Sequence, residues 1–553
     1  MTASFVDRFL SNLEAHRERA FVVEVHHERM APTRGALLRA MIEDARESLR
    51  VRGVKAGDRV VLVAPNSARW VAMDLAILAE GATVVPLYAR QAPAEIADMV
   101  RDADSSLVIV GEAGLDVALA AAGVAPRVML DAMFEGRRMD PRPAARLEPD
   151  HVVTIIYTSG SSGEPKGVMT SRANVEHMLP VLDTKLRELS GVAGGNDRVF
   201  HYLPFCFAGS RMVLWACLYR ANGLHLSMKL DELVRELAAA TPEYFLNVPA
   251  LLDRVRVGVE KKLAERAVPI RTLYARAIEA DARERAGTWG KRDRALLALA
   301  ERTLFPRIRE QIGPALKGLI CGSAPLSIET QAWFERIGLP IYQVYGLTET
   351  TAIVTVDRKD AAKIGRVGHA VPGCELRIGE GGELQVKGPN VFPGYFRREE
   401  ATRAAFTSDG WFRTGDQGEL DARGNLRIIG RIKNVLVPSS GHNVAPEPLE
   451  QLVRDGVAGV DQVVVVGHGR PFLSAIVSGT VQPSLIGEQL DEVNERLPHY
   501  RRIRRWIVAR EPFTPENGLL TANQKLRRTE IERRYAKEIA ALYETPAMEA
   551  GRA

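Results

Sequence analysis

Apolar and polar residues alternate along positions 36–110 with two different periods, and this pattern predicts the first part of the fold. The predicted elements are, in order, a strand at Val60–Ala64, a helix at Trp70–Glu80, a strand at Thr83–Leu87, a helix at Ala94–Asp104 and a strand at Ser106–Val110. Short apolar strands that alternate with amphipathic helices indicate parallel strands joined by crossover helices. The sequence therefore predicts an α/β fold.

The pattern changes at residues 253–310, which are rich in Arg, Glu, Lys, Ala and Leu. This composition is typical of helices whose outer faces are solvated. We expect a helical insertion with a structural role, and peripheral contact with a membrane surface or a partner protein is the alternative.

A third pattern covers residues 365–430, where glycine and turn residues separate short β-like pieces such as Glu383–Lys387 and Asn425–Ile429. Further strand-like segments follow, and Leu526–Tyr543 is predicted to be helical. We place a domain boundary near Arg431. The prediction is a large domain of α/β layers with a β-rich subdomain, residues 1–430, and a small mobile α+β domain, residues 431–553.

Composition and charge exclude several classes of protein. The 553 residues carry 74 Lys and Arg against 69 Asp and Glu, a formal net charge of +5 without a long basic run, which argues against a nucleic-acid-binding protein. The four cysteines form no metal-binding or disulfide pattern, which indicates a reducing compartment. Neither a signal peptide nor an apolar run long enough for a transmembrane helix is visible. We therefore expect a cytoplasmic protein.

The most informative segment is His151–Val168, in which an apolar strand leads directly into a loop rich in Gly and Ser. Glycines let backbone N–H groups converge, hydroxyls add donors and Lys166 adds a positive charge, which together suit a polyphosphate. Lys166 is followed by Gly167 rather than by Ser or Thr, so the loop is not a Walker A motif. The predicted phosphate-binding residues are Thr158, Ser159, Gly160, Ser161, Ser162, Gly163 and Lys166.

This loop resembles the phosphate-loop signature of the adenylate-forming superfamily, which includes acyl-CoA synthetases, aryl-CoA ligases, luciferases and peptide-synthetase adenylation domains. Two later segments, CGSAPL at 321–326 and YQVYGLTET at 342–350, resemble further motifs of that superfamily in the same order. The resemblance implies that Tyr345 offers a ring face to adenine, Thr348 a donor to the α-phosphate and Glu349 a carboxylate to Mg²⁺. The nucleotide-binding residues implied for these two segments are Gly322, Ser323, Ala324, Pro325, Tyr345, Gly346 and Thr348.

The resemblance continues in DGWFRTGDQGE at 409–419 and in IGRIK at 429–433. It implies that Asp416 accepts hydrogen bonds from the ribose hydroxyls and that Ile428 and Arg431 also contact the nucleotide. It further implies that Lys433 is the hinge between the two domains, although Asn434 stands where an acidic residue is common.

The last matching motif is NGLLTANQKLRR at 517–528, which resembles the C-terminal lysine motif of the superfamily. Lys525 is thereby expected to reach the α-phosphate and the attacking carboxylate. The predicted catalytic set is Lys166, Thr348, Glu349 and Lys525.

Within the superfamily, the helical insertion, the Asn247-Val248-Pro249 segment and the LTANQKLRR ending favour the long-chain fatty acyl-CoA synthetases. The predicted acyl pocket includes the segment from Phe207 to Tyr219, with Phe207 at a position where many members have histidine. Trp215 is a candidate for the wall or gate of the acyl channel, although a position in the hydrophobic core is the favoured interpretation. The predicted substrate-binding residues are Phe207, Trp215, Gly322 and Gly441, the last lying in a loop expected to admit a pantetheine arm.

The resemblance therefore implies an enzyme that uses ATP and Mg²⁺ to convert a medium- to long-chain fatty acid to acyl-AMP and then forms a thioester with coenzyme A. Three alternatives stay open. The acyl group could pass to the phosphopantetheine of an acyl carrier protein, a hydroxy acid could close on itself, or the chain could bind adenylates without catalysis.

Overall fold

The computed structural model describes residues 4–27, 29–137, 140–159, 165–191, 195–359, 363–521 and 525–544. The chain divides into two compact units. The first comprises residues 1–89, 93–375 and 387–406, and the second comprises residues 90–92, 376–386 and 407–553.

The described strands up to residue 370 belong to the first unit. They are β1 Ala20–His26, β2 Arg29–Arg34, β3 Arg59–Val63, β4 Thr83–Pro86, β5 Leu107–Val110, β6 Arg127–Met129, β7 Val152–Ser159, β8 Pro165–Ser171, β9 Arg198–His201, β10 Gly223–Ser227, β11 Tyr244–Asn247, β12 Leu319–Cys321, β13 Ile341–Tyr345, β14 Thr355–Val356 and β15 His369–Ala370. The α-helices of this unit are α1 Phe5–Ala15, α2 Gly35–Val51, α3 Ala68–Ala79, α4 Pro93–Ala103, α5 Ala113–Ala121, α6 Arg172–Ser190, α7 Ala208–Arg220, α8 Leu233–Ala240, α9 Pro249–Ala264, α10 Val268–Arg285, α11 Lys291–Thr303, α12 Phe305–Ile312, α13 Ile328–Arg336 and α14 Glu399–Ala404.

The strands that follow form the sheets of the second unit. They are β16 Glu375–Ile378, β17 Glu383–Lys387, β18 Phe412–Leu420, β19 Leu426–Arg431, β20 Val460–Val466, β21 Leu473–Gly479 and β22 Ile503–Val508. The α-helices of this unit are α15 Pro446–Gly456, α16 Pro483–Glu495, α17 Arg528–Arg534 and α18 Ala536–Glu544.

A six-stranded sheet of the first unit has the order β6-β5-β3-β4-β7-β8. Its strands are parallel except for β8, which forms an antiparallel hairpin with β7. Residues 60–63 and 107–110 are buried on both faces, as expected for strands covered by crossover helices. The predicted α/β architecture is confirmed, and each strand and helix predicted between residues 60 and 110 lies within two residues of its observed bounds.

A nine-stranded sheet has the order β15-β14-β13-β12-β11-β9-β10-β1-β2. Its central strands β13, β12, β11, β9, β10 and β1 are parallel to one another. The predicted helical insertion consists of α9 to α12, and its buried face, including Ala277, Ala280, Leu297 and Ala300, belongs to the same hydrophobic core as Phe334 of α13. A structural role for one face of the insertion is therefore visible.

The second unit contains a four-stranded sheet, β16-β17-β18-β19, and a three-stranded sheet, β20-β21-β22. Helices α15 and α16 contribute Leu449, Val453 and Leu490 to the core of the smaller sheet. The segment predicted to be helical at 526–543 consists of two helices, because α17 ends at Arg534 and α18 begins at Ala536. The buried Tyr535 between them has φ −105° and ψ 20°, which departs from α-helical geometry.

The compact units divide the chain at residues 406 and 407, whereas the sequence places the boundary near Arg431. The β-rich segment groups with the C-terminal residues because β18 pairs with β17 and with β19 in one sheet and α15 packs on β19. A side chain at Gly430 would lie 2.6 Å from Glu447 of α15, so this packing is close.

Among the residues that the structure describes, no helix is long and apolar enough to cross a membrane. The four cysteines, Cys206, Cys217, Cys321 and Cys374, are all buried and unpaired.

Candidate functional site

The predicted phosphate loop begins at the end of the β7–β8 hairpin. Thr158 on β7 lies opposite Lys166 on β8, and Ser159 lies opposite Pro165. A side chain at Gly167 would approach Ile155 to 2.7 Å, so glycine is required for the close strand crossing at this point. The hairpin thus places a hydroxyl and an ammonium side by side at the edge of the sheet. The predicted residues Gly160, Ser161, Ser162 and Gly163 lie outside the described part of the chain.

Lys166 is connected to Glu349 by a residue that the sequence did not indicate, Tyr395. The Lys166 Nζ lies 5.3 Å from the centroid of the Tyr395 ring. The Tyr395 hydroxyl donates a hydrogen bond of 3.0 Å to Glu349 Oε1. The structure therefore brings two predicted catalytic residues of the first unit to the two sides of one tyrosine.

The predicted adenine-side loop follows β12. Gly322 is buried, and a Cβ at this position would lie 2.7 Å from Val344 Cγ2 and 3.0 Å from the Val344 carbonyl oxygen. Ser323 has φ +73°, and Ser323, Ala324 and Pro325 are exposed. Small residues therefore leave backbone accessible at the carboxyl end of a parallel strand, which is where ligands bind to open α/β sheets.

The neighbouring parallel strand β13 ends at Tyr345, at the same edge of the sheet as the 322–325 loop. Gly346 contacts the Ala352 backbone so closely that a Cβ would lie 2.1 Å from the Ala352 oxygen. Thr348 and Glu349 then form one 3-10 turn up to Thr350. Tyr345, Gly346 and Thr348 are partly exposed, as a ligand-binding segment requires.

Glu349 suits one part of a magnesium site. In the described residues no group of three or more His, Cys, Asp or Glu side chains could hold a metal ion by itself. Mg²⁺ in nucleotide-binding proteins takes one or two carboxylates together with phosphate oxygens and waters. A single carboxylate beside a phosphate loop therefore fits a cation that arrives with a triphosphate, and Glu349 is the residue that would hold it.

In the second unit, Asp416 and Arg431 form a cross-strand pair on β18 and β19. Arg431 Nη1 donates to Asp416 Oδ1 at 2.8 Å and to the Thr414 carbonyl oxygen at 3.2 Å. Asp416 is buried, whereas Arg431 and the predicted nucleotide contact Ile428 are partly exposed. The sheet therefore brings these three predicted residues to one region of the second unit.

Lys433, the predicted hinge, lies in a 3-10 turn that directly follows β19. Desolvation of its ammonium and the charge of Arg431 lower the pKa of Lys433, and the charge of Asp416 partly opposes them. Gly441 is exposed with φ +77°, and no atom lies within 4 Å of the position that its Cβ would take. The positive φ, rather than a lack of space, is what favours glycine there.

Lys525 has an exposed side chain. Its backbone is held to Thr521 by two hydrogen bonds, from Lys525 N to Thr521 Oγ1 at 3.1 Å and from Thr521 N to Lys525 O at 2.8 Å. An isolated bridge between Leu520 and Leu526 closes the same loop. The loop is thereby anchored on both sides while the ammonium stays accessible to a ligand.

Two predicted acyl-pocket residues have different surroundings. Phe207 precedes α7 and is partly exposed, with its ring 6.0 Å from that of Tyr88. Trp215 is buried, contacts Phe5 of α1 and donates a hydrogen bond of 3.3 Å to Asp74 of α3. These contacts place Trp215 between α1 and α3, which agrees with the core position that the sequence favoured, and its role in the acyl pocket stays a prediction.

Asp357 is a buried carboxylate close to the Tyr345 strand. Its Oδ2 accepts a hydrogen bond of 2.9 Å from Gln343 N, and its Oδ1 has no hydrogen-bond partner among the described residues. Burial raises the pKa of Asp357 to about 7, with the charge of Glu335 as a smaller contribution in the same direction. The sequence pattern did not single out this residue.

Tyr395 and Asp357 were missed because their roles depend on contacts between distant parts of the chain. The local signal of Tyr395 is only the turn-like Pro393-Gly394 dipeptide before it, which predicts a loop and no chemistry.

Comparison with known proteins adds a family to this geometry. The sequence profile of the AMP-binding enzyme family matches residues 35–396, and that of the AMP-binding enzyme C-terminal domain matches residues 433–547. The chain is 32% identical over 545 residues to the long-chain-fatty-acid–CoA ligase FadD15 of Mycobacterium bovis, with 89% of each chain covered.

Two further similarities extend over nearly the whole chain. It is 26% identical over 643 residues to the long-chain-fatty-acid–[acyl-carrier-protein] ligase AEE15 of Arabidopsis thaliana, covering 97% of this chain and 86% of that protein. The crystal structure of ATP-bound MatB from Rhodopseudomonas palustris matches with a TM-score of 0.75 at 23% identity, covering 97% of this chain and 99% of that one. This last similarity is one of fold.

Proposed function

Since the chain belongs to the AMP-binding enzyme family, we propose that it activates a medium- to long-chain fatty acid with ATP and transfers the acyl group to coenzyme A. The observation that carries the proposal is the contact of Tyr395 with both Lys166 and Glu349 in the first unit, with Thr158 opposite Lys166 on the β7–β8 hairpin. The similarity to a long-chain-fatty-acid–CoA ligase supports the class of acid and the thiol acceptor.

In the first half-reaction a carboxylate oxygen of the acid attacks the α-phosphorus of ATP. The bond from that phosphorus to the bridging oxygen breaks, and pyrophosphate leaves with its electron pair. Both reactants are anionic, so the ammonium groups of Lys166 and Lys525 and the hydroxyl of Thr348 stabilise the charge that develops. Mg²⁺, when bound with ATP, supplies further neutralisation of phosphate charge, and Glu349 is its protein ligand.

Each unit offers groups that suit one part of the nucleotide in this proposal. Tyr345 offers its ring to adenine, and the small residues Gly322 to Pro325 leave backbone accessible beside it. Asp416, paired with Arg431, accepts hydrogen bonds from the ribose hydroxyls, and Ile428 contributes an apolar contact.

In the second half-reaction the thiolate of coenzyme A attacks the acyl carbonyl carbon of acyl-AMP. A thioester forms, the bond from the acyl carbon to the phosphate oxygen breaks, and AMP leaves. A thiol is partly ionised near neutral pH, so no dedicated base is required. Gly441 borders the path of the pantetheine arm, and rotation of the backbone at Lys433 separates the two half-reactions. Phe207 borders the acyl carboxylate, and the buried free cysteines suit the cytoplasm as the location.

The first test is exchange of labelled pyrophosphate into ATP with a panel of short, medium, long and aryl acids. We expect exchange that depends on a medium or long fatty acid. Lys525→Ala should reduce it by about 10²–10³-fold, as expected for removal of a group that stabilises transition-state charge. Lys537→Ala is the matched control, because Lys537 is also an exposed lysine of the second unit and has no assigned role. Exchange with none of these acids would contradict the proposal.

A second acceptor is favoured by the similarity to an acyl-carrier-protein ligase. Release of AMP should be measured with coenzyme A, with a phosphopantetheinylated acyl carrier protein and with neither. Stimulation of AMP release by coenzyme A alone supports the leading proposal. Stimulation by the carrier protein alone would replace coenzyme A with the carrier as the acyl acceptor. Release that needs neither acceptor indicates that a hydroxy acid closes on itself.

A further inference from the structure

Tyr395 lies at the point where two predicted nucleotide-binding segments of the first unit meet. It belongs to residues 390–396, which precede α14 and which we call the connecting segment. The connecting segment contacts the β7–β8 hairpin on one side and the Thr348–Thr350 turn on the other. The surroundings of this one residue therefore determine how those two regions are held relative to each other.

The hydroxyl of Tyr395 contacts only one of the two carboxylate oxygens of Glu349. It donates to Oε1 at 3.0 Å, and in the described residues Oε2 accepts no hydrogen bond. A phenol carries no charge, so this contact orients the carboxylate without neutralising it. An arginine at the same place would orient Glu349 and also reduce its affinity for a cation.

The ring of Tyr395 contacts the second charged group, Lys166. The ammonium lies 5.3 Å from the ring centroid, within the range of a cation–π interaction. The pair Lys166 and Glu349 would attract each other if they met directly, and each would then offer less charge to a ligand. The aromatic ring keeps them apart while it contacts both.

The backbone of the connecting segment fixes the ring at this position. Phe396 N donates to Gly167 O at 2.8 Å, and Met169 N donates to Gly394 O at 3.2 Å, so the segment is joined to β8. Phe392 N donates to Glu349 O at 2.8 Å, so it is also joined to the turn. Tyr395 N donates to Thr402 Oγ1 at 2.9 Å, which ties the residue to α14.

We propose that Tyr395 is a positioning residue that holds the cation-binding carboxylate of Glu349 and the phosphate-binding ammonium of Lys166 at a fixed separation for Mg²⁺-ATP. Its hydroxyl orients Glu349 and therefore contributes to the part of ATP binding that depends on Mg²⁺. Its ring contacts Lys166 and therefore contributes to the part of ATP binding that does not depend on Mg²⁺. The inference rests on the proposed function, because that function assigns the ligands of both residues.

The two parts can be separated by two substitutions at one position. Tyr395→Phe removes the hydroxyl and keeps the ring, whereas Tyr395→Leu removes both. ATP binding is measured by calorimetry on the full chain, once with Mg²⁺ and once with EDTA, and the ratio of the two affinities gives the contribution of the metal. No acid is present, so the measurement does not require turnover.

For the wild type we expect tighter binding of ATP with Mg²⁺ than without it. Tyr395→Phe should reduce that ratio by about three- to tenfold and leave binding in EDTA unchanged, as expected for loss of a hydrogen bond to a charged group at a half-buried site. Tyr395→Leu should reduce the ratio equally and also weaken binding in EDTA. At saturating Mg²⁺ the kcat of Tyr395→Phe in pyrophosphate exchange should approach that of the wild type.

Tyr274→Phe is the matched control, because the Tyr274 hydroxyl also donates to a glutamate, Glu260, at 3.0 Å in the helical insertion. It should leave the Mg²⁺ ratio unchanged. An unchanged ratio in Tyr395→Phe would overturn the inference, as would a wild type whose ATP affinity does not respond to Mg²⁺. Failure of the proposed function has a different signature, which is Mg²⁺-ATP binding without acid-dependent exchange.

Discussion

The two carboxylates predicted to bind the nucleotide, Glu349 in the first unit and Asp416 in the second, have opposite surroundings. Glu349 is partly exposed and accepts a hydrogen bond from a neutral phenol. Asp416 is buried and paired with a guanidinium at 2.8 Å. A carboxylate whose hydrogen-bond partner is neutral suits a cation. A carboxylate paired with a guanidinium suits neutral hydroxyl groups instead, because its remaining lone pairs still accept hydrogen bonds. The partner of each carboxylate thus indicates its ligand better than the carboxylate itself does.

The largest effect should come from removing the charge of Glu349. Glu349→Gln keeps an oxygen that can accept from Tyr395, so the local structure should stay intact. Pyrophosphate exchange at a fixed low Mg²⁺ concentration should fall by about 100-fold, since a charge that stabilises the transition state is lost. The midpoint of thermal unfolding should not change. Glu329→Gln, at an exposed carboxylate of the same unit, is the control. A large loss of stability in Glu349→Gln would contradict the expected difference in surroundings between Glu349 and Asp416.

Asp416→Asn should have a smaller effect on activity and a larger one on stability. The substitution leaves Arg431 facing a neutral amide, which should cost about 1–2 kcal/mol, less than for a fully buried pair because Arg431 is partly exposed. The preference for ATP over 2′-deoxy-ATP should fall by about tenfold, as expected for a weakened hydrogen bond to a charged acceptor. Thermal unfolding and the two nucleotide affinities measure these effects.

Glu419→Gln supplies the matched control for that variant. Glu419 pairs with Arg427 on the same two strands at 2.8 Å, but both side chains are more exposed. Its loss should change neither stability nor sugar preference. If Asp416→Asn retained the full preference for ATP, the assignment of Asp416 to the ribose would be wrong.

Asp357 extends the comparison to a buried carboxylate whose electrostatic neighbours in the described part of the chain include no cation, and it should affect stability without affecting catalysis. Its pKa is raised from 3.8 to about 7, so the folded protein retains a proton that the unfolded chain has already lost. Stability from this group is therefore present below pH 4 and is lost progressively as the pH rises to about 7.

Asp357→Asn should remove this dependence. Its stability relative to the wild type should increase by about 2 kcal/mol between pH 5.5 and pH 8, from about 1.4 kcal/mol for each pH unit below the folded pKa. Denaturant unfolding at the two pH values measures the change. Equal differences at both pH values would show that Asp357 is ionised in the folded protein.

The elements between residues 60 and 110 could be predicted closely because short apolar strands, buried on both faces, alternate there with segments of helical spacing. The helix boundaries and the unit boundary of the C-terminal region were harder to predict. Residues 526–543 have one helical pattern in the sequence. In the structure, Tyr535 packs in the core beside Phe513 and lies between two helices. The grouping of residues 407–430 with the second unit likewise depends on pairing with β17, which no local pattern indicates.

In the candidate site, too, the features that depend on tertiary contacts could not be predicted from the sequence. Lys166, Glu349, Asp416 and Lys525 could be named from the sequence, because each lies in a short motif that resembles one of the adenylate-forming superfamily. For Trp215 the sequence favoured the core without excluding a pocket wall, since a tryptophan on an apolar helix suits both. Its hydrogen bond to Asp74 decides for the core.

What the sequence by itself determined is the α/β class, the positions of the main strands and the charged groups available to meet a nucleotide. Apolar periodicity and local motifs carry that information, because secondary structure and loop chemistry depend mainly on neighbouring residues. Only the tertiary structure decided which neutral or charged partner each group meets. Packing between distant segments places Glu349 beside the phenol of Tyr395, 46 residues away in the chain. Pairing of β18 with β19 places Asp416 beside the guanidinium of Arg431, 15 residues away.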